Sequence, residues 1–149
     1  MTFRLFEEEG EQLATLGEAL RELLASEPRA SVALIARDNQ RARHHYDALR
    51  RVEIPSLRLV LDQEFTFRPG IDLTTPAQVK GLEYDYVVAL DVDVISYPAS
   101  DESRHLLHVV ATRAAHQLWL MNLGASSPSP LLPRSLIESG ELQEELGER

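Results

Sequence analysis

Residues 73–91 read LTTPAQVKGLEYDYVVALD. Leu73, Thr74 and Thr75 close an extended run that begins at Ile71, which predicts a strand over residues 71–75. Pro76 interrupts that run, because proline has no backbone N–H to give a sheet, and it opens a turn or short helix. Residues 86–91 (YVVALD) are then apolar without polar alternation. That pattern fits a strand covered on both faces, as in a parallel sheet.

The flanks repeat this grammar. Residues 31–36 (SVALIA) form another buried-strand run, and residues 57–61 predict a shorter strand ahead of a turn at Arg68-Pro69-Gly70. Between residues 10 and 25, Leu13, Leu16, Ala19, Leu20, Leu23 and Leu24 recur at helical spacing, until Glu27-Pro28 stops the helix. Asp38 or Asn39 can cap a second helix that reaches about Arg51. Residues 103–115 predict a third helix, with Leu106, Leu107, Val110 and Ala114 on its apolar face, and residues 117–123 (QLWLMNL) a last strand. Residues 2–6 alternate weakly and predict a first one. Strands separated by helices imply βαβ units, hence an α/β fold of three layers, a mostly parallel sheet flanked by helices. Ligands of such sheets bind beyond the carboxyl ends of the strands, here the loops after Ala36, Thr75, Asp91 and Leu123. Residues 124–133 are rich in Ser, Pro and Gly and read as a linker. The expected division is therefore one domain over residues 1–124 and a linker with an acidic tail over 125–149.

Composition narrows the function classes. The chain has 149 residues, 44% of them hydrophobic and 26% charged, the profile of one globular domain. It has no cysteine, which excludes disulfides and thiolate metal sites. No apolar run approaches the roughly 18 residues needed to cross a bilayer, and the acidic start does not suit a signal peptide, so the expectation is a cytoplasmic protein with no membrane partner. A net charge of −9 argues against a broad nucleic-acid surface. Much of that charge sits at the ends, in Glu7, Glu8 and Glu9 and in Glu138, Glu141, Glu144, Glu145 and Glu148, so a local contact with DNA survives the objection. The five histidines show no metal-ligand spacing, and they are expected to be solvent or packing residues, with no metal site. Asp91 and Asp93 read as strand-end caps. No nucleophile elbow or catalytic triad appears.

Two segments carry chemistry. In the first, Thr74 and Thr75 place hydroxyls near a turn or helix start, where a phosphate oxygen can bind. Lys80, the only lysine beside 14 arginines, adds a charge, and Glu83 can accept hydrogen bonds from a sugar hydroxyl or pair with a cation. On residue types alone, an ordinary turn with a threonine cap and a solvated Lys–Glu pair fits at least as well. In the second, residues 104–120 (RHLLHVVATRAAHQLWL), Arg113 follows a helix, where a lone arginine commonly screens carbonyls.

Together the two segments resemble UvrD/Rep-type superfamily 1 DNA helicases, in their C-terminal RecA-like domain. Gln78, Lys80-Gly81-Leu82-Glu83, Tyr84 and Asp85 match the order of the family's motif V, and Leu106, Leu107, Val109, Ala111, Thr112, Arg113 and Ala114 match its motif VI. His108 stands where that motif usually has Tyr, and Ala115 where an Arg often follows. The resemblance implies an arginine finger at Arg113 as the catalytic residue, and a nucleotide edge formed by Gly81, Glu83 and Arg113. It implies single-stranded DNA contacts at Thr74, Thr75, Gln78 and Lys80. Arg37, at the end of the 31–36 strand, would join them, although a generic βα unit gives the same local pattern. The likeness spans roughly residues 31–130, and the large insertion many relatives carry before motif V is absent, which implies the compact form.

No Gly-x-x-x-x-Gly-Lys-Ser/Thr occurs, so the phosphate cradle of an ATP site is not in this chain. The resemblance therefore implies ATP and Mg2+ only where an N-terminal RecA-like P-loop domain completes the site, none held by this chain alone, and no ATPase from it alone. Met1 would then be a boundary within a longer ATP-dependent DNA helicase. The alternative is a free-standing, non-catalytic RecA-like remnant that binds DNA or protein.

Overall fold

The computed structural model describes residues 2–6, 9–123 and 127–135, with side chains described for 10–122 and 127–135. Six strands form one sheet in the order β1-β6-β5-β2-β4-β3, and every pairing within it is parallel. The strands are β1 (Thr2–Phe6), β2 (Ser31–Ile35), β3 (Leu57–Leu59), β4 (Gly70–Thr74), β5 (Tyr84–Ala89) and β6 (Ala114–Leu123). The helices are α1 (Glu9–Ser26), α2 (Asn39–Arg50) and α3 (Asp101–Ala111).

The absence of polar alternation in the central strands has the expected cause. Val32 and Leu34 of β2 and Tyr86 and Val88 of β5 face a core shared with Leu16 and Leu20 of α1 and Ala42 and Leu49 of α2. Their neighbours Ala33, Ile35, Val87 and Ala89 face a second core with Val109 and Val110 of α3, Val79, Leu118 and Leu120. Both faces are covered, which makes three layers. Burying one such branched side chain is worth roughly 1.5–3 kcal/mol, so the two sets together dominate the stabilisation of the sheet.

The third helix departs from its expected bounds at both ends. It starts at Asp101, because Ser100 caps it by accepting the Ser103 N–H while Asp101 and Glu102 sit in the first turn, where the helix dipole favours acids. It ends at Ala111, not at residue 115. The Thr112 hydroxyl donates to the His108 and Val109 carbonyls at 2.9 and 3.1 Å, and Ala114 already pairs with Tyr84 in the sheet. Parallel pairing wins the residues that the helical pattern claimed. Pro76 opens turns rather than a helix, and β3 stops at Leu59.

Gly70 is required where it stands. Its φ is +126°, and a Cβ there would lie 2.9 Å from Ser56 Cβ. The region read as a linker is packed where it is described. The Val94 N–H donates to the Ser127 carbonyl and the Ser129 N–H to the Val92 carbonyl. Ser129 is buried, with its hydroxyl 2.6 Å from the Tyr97 carbonyl, and Leu132 enters the α3-side core. The acidic residues at 138–148 and at 7 and 8 lie outside the described residues.

Candidate functional site

A parallel sheet has two unlike edges, and the candidate residues divide between them. The segment from Thr75 to Glu83 must carry the chain from the carboxyl end of β4 back to the amino end of β5. It does so across the α3 face, pinned by Val79, which is fully buried. The motif stretch is thus a strap between two edges.

At the carboxyl edge lie Thr74, Thr75 and Arg37. The Ala36 N–H donates to the Thr74 carbonyl, which holds the ends of β2 and β4 together. Thr74 is fully buried and Thr75 is 3% exposed, so neither hydroxyl presents itself to a polymer from this position. The Thr74 hydroxyl is a buried oxygen without a hydrogen-bond partner. Arg37 is half-buried, its Nε donating to the Ser96 carbonyl at 2.8 Å and its guanidinium 5.6 Å from the centre of the Tyr97 ring. Burial pushes the Tyr97 hydroxyl up, well above its ordinary pKa.

The same edge holds a group whose partnership the sequence did not reveal. Asp91, 1% exposed just beyond β5, accepts from Arg41 Nη2 at 2.7 Å and sits 2.9 and 3.1 Å from His45 Nε2. Burial pulls its carboxyl up, but the hydrogen bonds and charges of His45 and Arg41 outweigh that and hold it below the usual carboxylate range. The hydrogen bond to Asp91 raises Arg41 in turn. Arg41 and His45 lie one helical turn apart on α2. Sequence can show that spacing, but not the strand end it meets. Arg37 and Arg41 face a cleft of about 390 Å3 that also takes in Asp93, Ser96 and Ser100. Asp93 is a cap as expected, its Oδ1 accepting the Ile95 and Ser96 N–H groups.

Gly81 and Glu83 lie in the loop before β5 and Arg113 in the loop before β6, both at the amino edge. Tyr84 donates its N–H to the Arg113 carbonyl at 2.8 Å, which sets the loop before β5 beside the loop before β6. Glu83 is exposed and Arg113 partly so. The Arg113 Nη2 reaches Thr112 Oγ1 at 3.2 Å, while its Nε is buried without a partner. Gly81 has a φ of +82°, and a Cβ built there would touch nothing within 4 Å, so the space beside its backbone is open. Lys80 is exposed and precedes this edge. Gln78 is engaged inside the chain, its Oε1 accepting the Gln63 N–H at 2.8 Å. The five DNA candidates therefore do not converge. Arg37, Thr74 and Thr75 share one edge, while Gln78 and Lys80 lie along the strap that leaves it.

Residues 71–121 match the family model described as the UvrD-like helicase C-terminal domain. In fold, the chain is similar to the C-terminal domain of a possible DNA helicase from Lactobacillus plantarum WCFS1, with a TM-score of 0.73 and 23% identity over 91% of this chain and 81% of that one. It is also similar to the C-terminal domain of the DEAD-box protein Dbp5, with a TM-score of 0.57 and 12% identity over 100% of this chain and 86% of that one. A search of curated proteins finds no match. The chain thus has the RecA-like fold of helicase C-terminal domains. Its resemblance to the UvrD-like ones is carried in sequence by the stretch that contains both candidate motifs.

Proposed function

We propose that the chain is the C-terminal motor domain of an ATP-dependent DNA helicase or translocase. In this reading it contributes one wall of an ATP site whose phosphate cradle belongs to an N-terminal RecA-like P-loop domain. The observation that supports this best is the placement of Gly81, Glu83 and Arg113 in two adjacent loops at one edge of the sheet, within the stretch that matches the UvrD-like pattern.

The residues present fit one side of such a site. Arg113 has a guanidinium nitrogen without a partner, Glu83 is an exposed acceptor, and Gly81 leaves its backbone open to approach. MgATP would supply the phosphoryl group that is transferred. Arg113 would set a permanent, planar positive charge against the charge that develops on it. Glu83 would accept a hydrogen bond from the ribose. The Mg2+ would come with the nucleotide and the partner domain. Contact with single-stranded DNA is assigned to two separate places, Arg37 at the carboxyl edge and Lys80 on the strap, with Thr74, Thr75 and Gln78 holding the backbone between them. Among the described residues no helix is long and apolar enough to cross a membrane, and a cytoplasmic setting remains part of this proposal.

In the two-domain motor, Arg113→Ala is expected to lower ATP turnover by roughly 10³–10⁵-fold while nucleotide binding is largely kept. Unchanged turnover with normal binding would remove the arginine finger and the reading built on it.

A further inference from the structure

Next to the edge that holds Gly81 and Glu83, one side chain is placed against its own chemistry. Phe67 leaves 81% of its surface in solvent, on backbone with a φ of +55°. Bulky residues rarely adopt that left-handed conformation, and strain of this kind collects at ligand sites. A phenyl ring in water contributes nothing to the core.

The loop that presents it is nevertheless braced. Arg58 donates to the Arg68 carbonyl at 3.0 Å and to the Pro69 carbonyl at 3.2 Å. Its Nε meets Asp72 at 2.7 Å, and the Tyr84 hydroxyl donates to the same carboxylate at 3.0 Å. Asp72 is 3% exposed, so this brace is anchored in the interior. Phe65 packs against the α3-side core and stands 6.4 Å from the Phe67 ring. Phe67 and Arg68 share a cleft of about 490 Å3 with Arg29, Gly81 and Glu83.

We propose that Phe67 is the stacking platform for the base of a nucleoside triphosphate. The proposal rests on the reading of Glu83 and Arg113 as the nucleotide edge. The cleft brings together the parts such a ligand needs: an exposed ring for the base, an acceptor for the sugar, an open glycine backbone and two cations. Phe67 precedes β4 and Arg113 precedes β6. These strands stand three places apart in the sheet, a separation of about 14 Å at the usual inter-strand spacing. A ligand with its base at one end and its phosphates at the other uses that distance; a lone anion does not. Stacking is indifferent to the identity of the base, so Phe67 favours nucleotides as a class over polyphosphate, by roughly 5- to 150-fold.

The test places an indole at the platform. The full 149-residue chain carries Phe67→Trp together with Trp119→Phe, which leaves one tryptophan. It is titrated with MgATP and, separately, with magnesium tripolyphosphate. ATP should quench the emission saturably with a midpoint in the millimolar range, because the phosphate cradle is not in this chain, and tripolyphosphate should not. The Phe67 ring resonances of the unaltered chain should shift with ATP over the same range, a measurement independent of either substitution. Unmoved emission and resonances, or an equal response to tripolyphosphate, would overturn the platform. That result leaves the Arg113 experiment standing, whereas a failed Arg113 experiment with intact quenching would remove the motor reading alone.

Discussion

Asp91 concentrates the electrostatics of the carboxyl edge in one carboxylate. Its folded pKa lies below the ordinary value because His45 and Arg41 outweigh the burial that pulls it up. A carboxyl depressed on folding contributes stability that is present above its unfolded pKa, about 3.9, and is lost as pH falls through the folded value. Asp91→Asn keeps the shape and removes the charge, so it should cost about 1–3 kcal/mol at neutral pH. Arg41 can turn outward, since 39% of its side chain is exposed, which keeps the penalty below that of a fully enclosed pair. The gap between urea melts of the two proteins should begin to narrow below about pH 4 and close as pH falls through the folded value; a gap that stays constant into acid would show that the charge is not the cause. Gly70 is the other residue whose effect is fixed locally. Gly70→Ala must place a Cβ against Ser56 at a φ that L-residues rarely hold. It should cost about 1–3 kcal/mol, read as a lower thermal midpoint.

At the level of elements, legibility in the sequence followed the range of the forces involved. The strands β2 and β5 and the first two helices were readable in kind because burial on both faces, Pro28 and the Asp38 cap all act within a few residues, although β5 runs over Tyr84–Ala89 and not over 86–91, since its register with β6 starts at Tyr84. The end of α3 was not, since Ala114 and Ala115 are good helix formers taken by pairing with β5, a partner some 30 residues away. The same limit hid Asp91 from Arg41 and His45. Of the candidate residues, Gly81 and Glu83 belong to one motif and Arg113 to the other, and only the parallel register sets their loops side by side. Thr74 and Thr75 were readable as a strand end, but their burial was not. Residues 127–132 show the opposite error of scale. Ser and Pro content suggested a linker, while Ser129 and Leu132 are buried. Leu132→Ala should therefore cost about 2–3 kcal/mol, near the low end for a buried leucine because the site lies at the rim of the core. An unaltered melt would return the segment to the status of a loose connection.

For the whole molecule, the decisive feature is that one edge of the sheet supplies a cation, an acceptor and an open backbone, with no phosphate cradle anywhere in the sequence. Under the proposed function such a wall would add to a reaction begun elsewhere, with the β and γ oxygens of the triphosphate held by the loop of the partner domain. The net charge of −9 points the same way, since it disfavours tight, free-standing binding of DNA by this chain. The chain alone should thus give no DNA-stimulated ATP hydrolysis. Joined to an N-terminal P-loop domain of the UvrD-like type from the same polypeptide or a cognate one, it should restore hydrolysis that depends on single-stranded DNA and is lost on Arg113→Ala. A non-catalytic remnant would instead leave hydrolysis at the level of the P-loop domain, whatever stands at position 113. Robust hydrolysis by the isolated chain would contradict both, since it would require a phosphate-binding loop that a seven-glycine sequence without Gly-Lys-Ser/Thr does not contain.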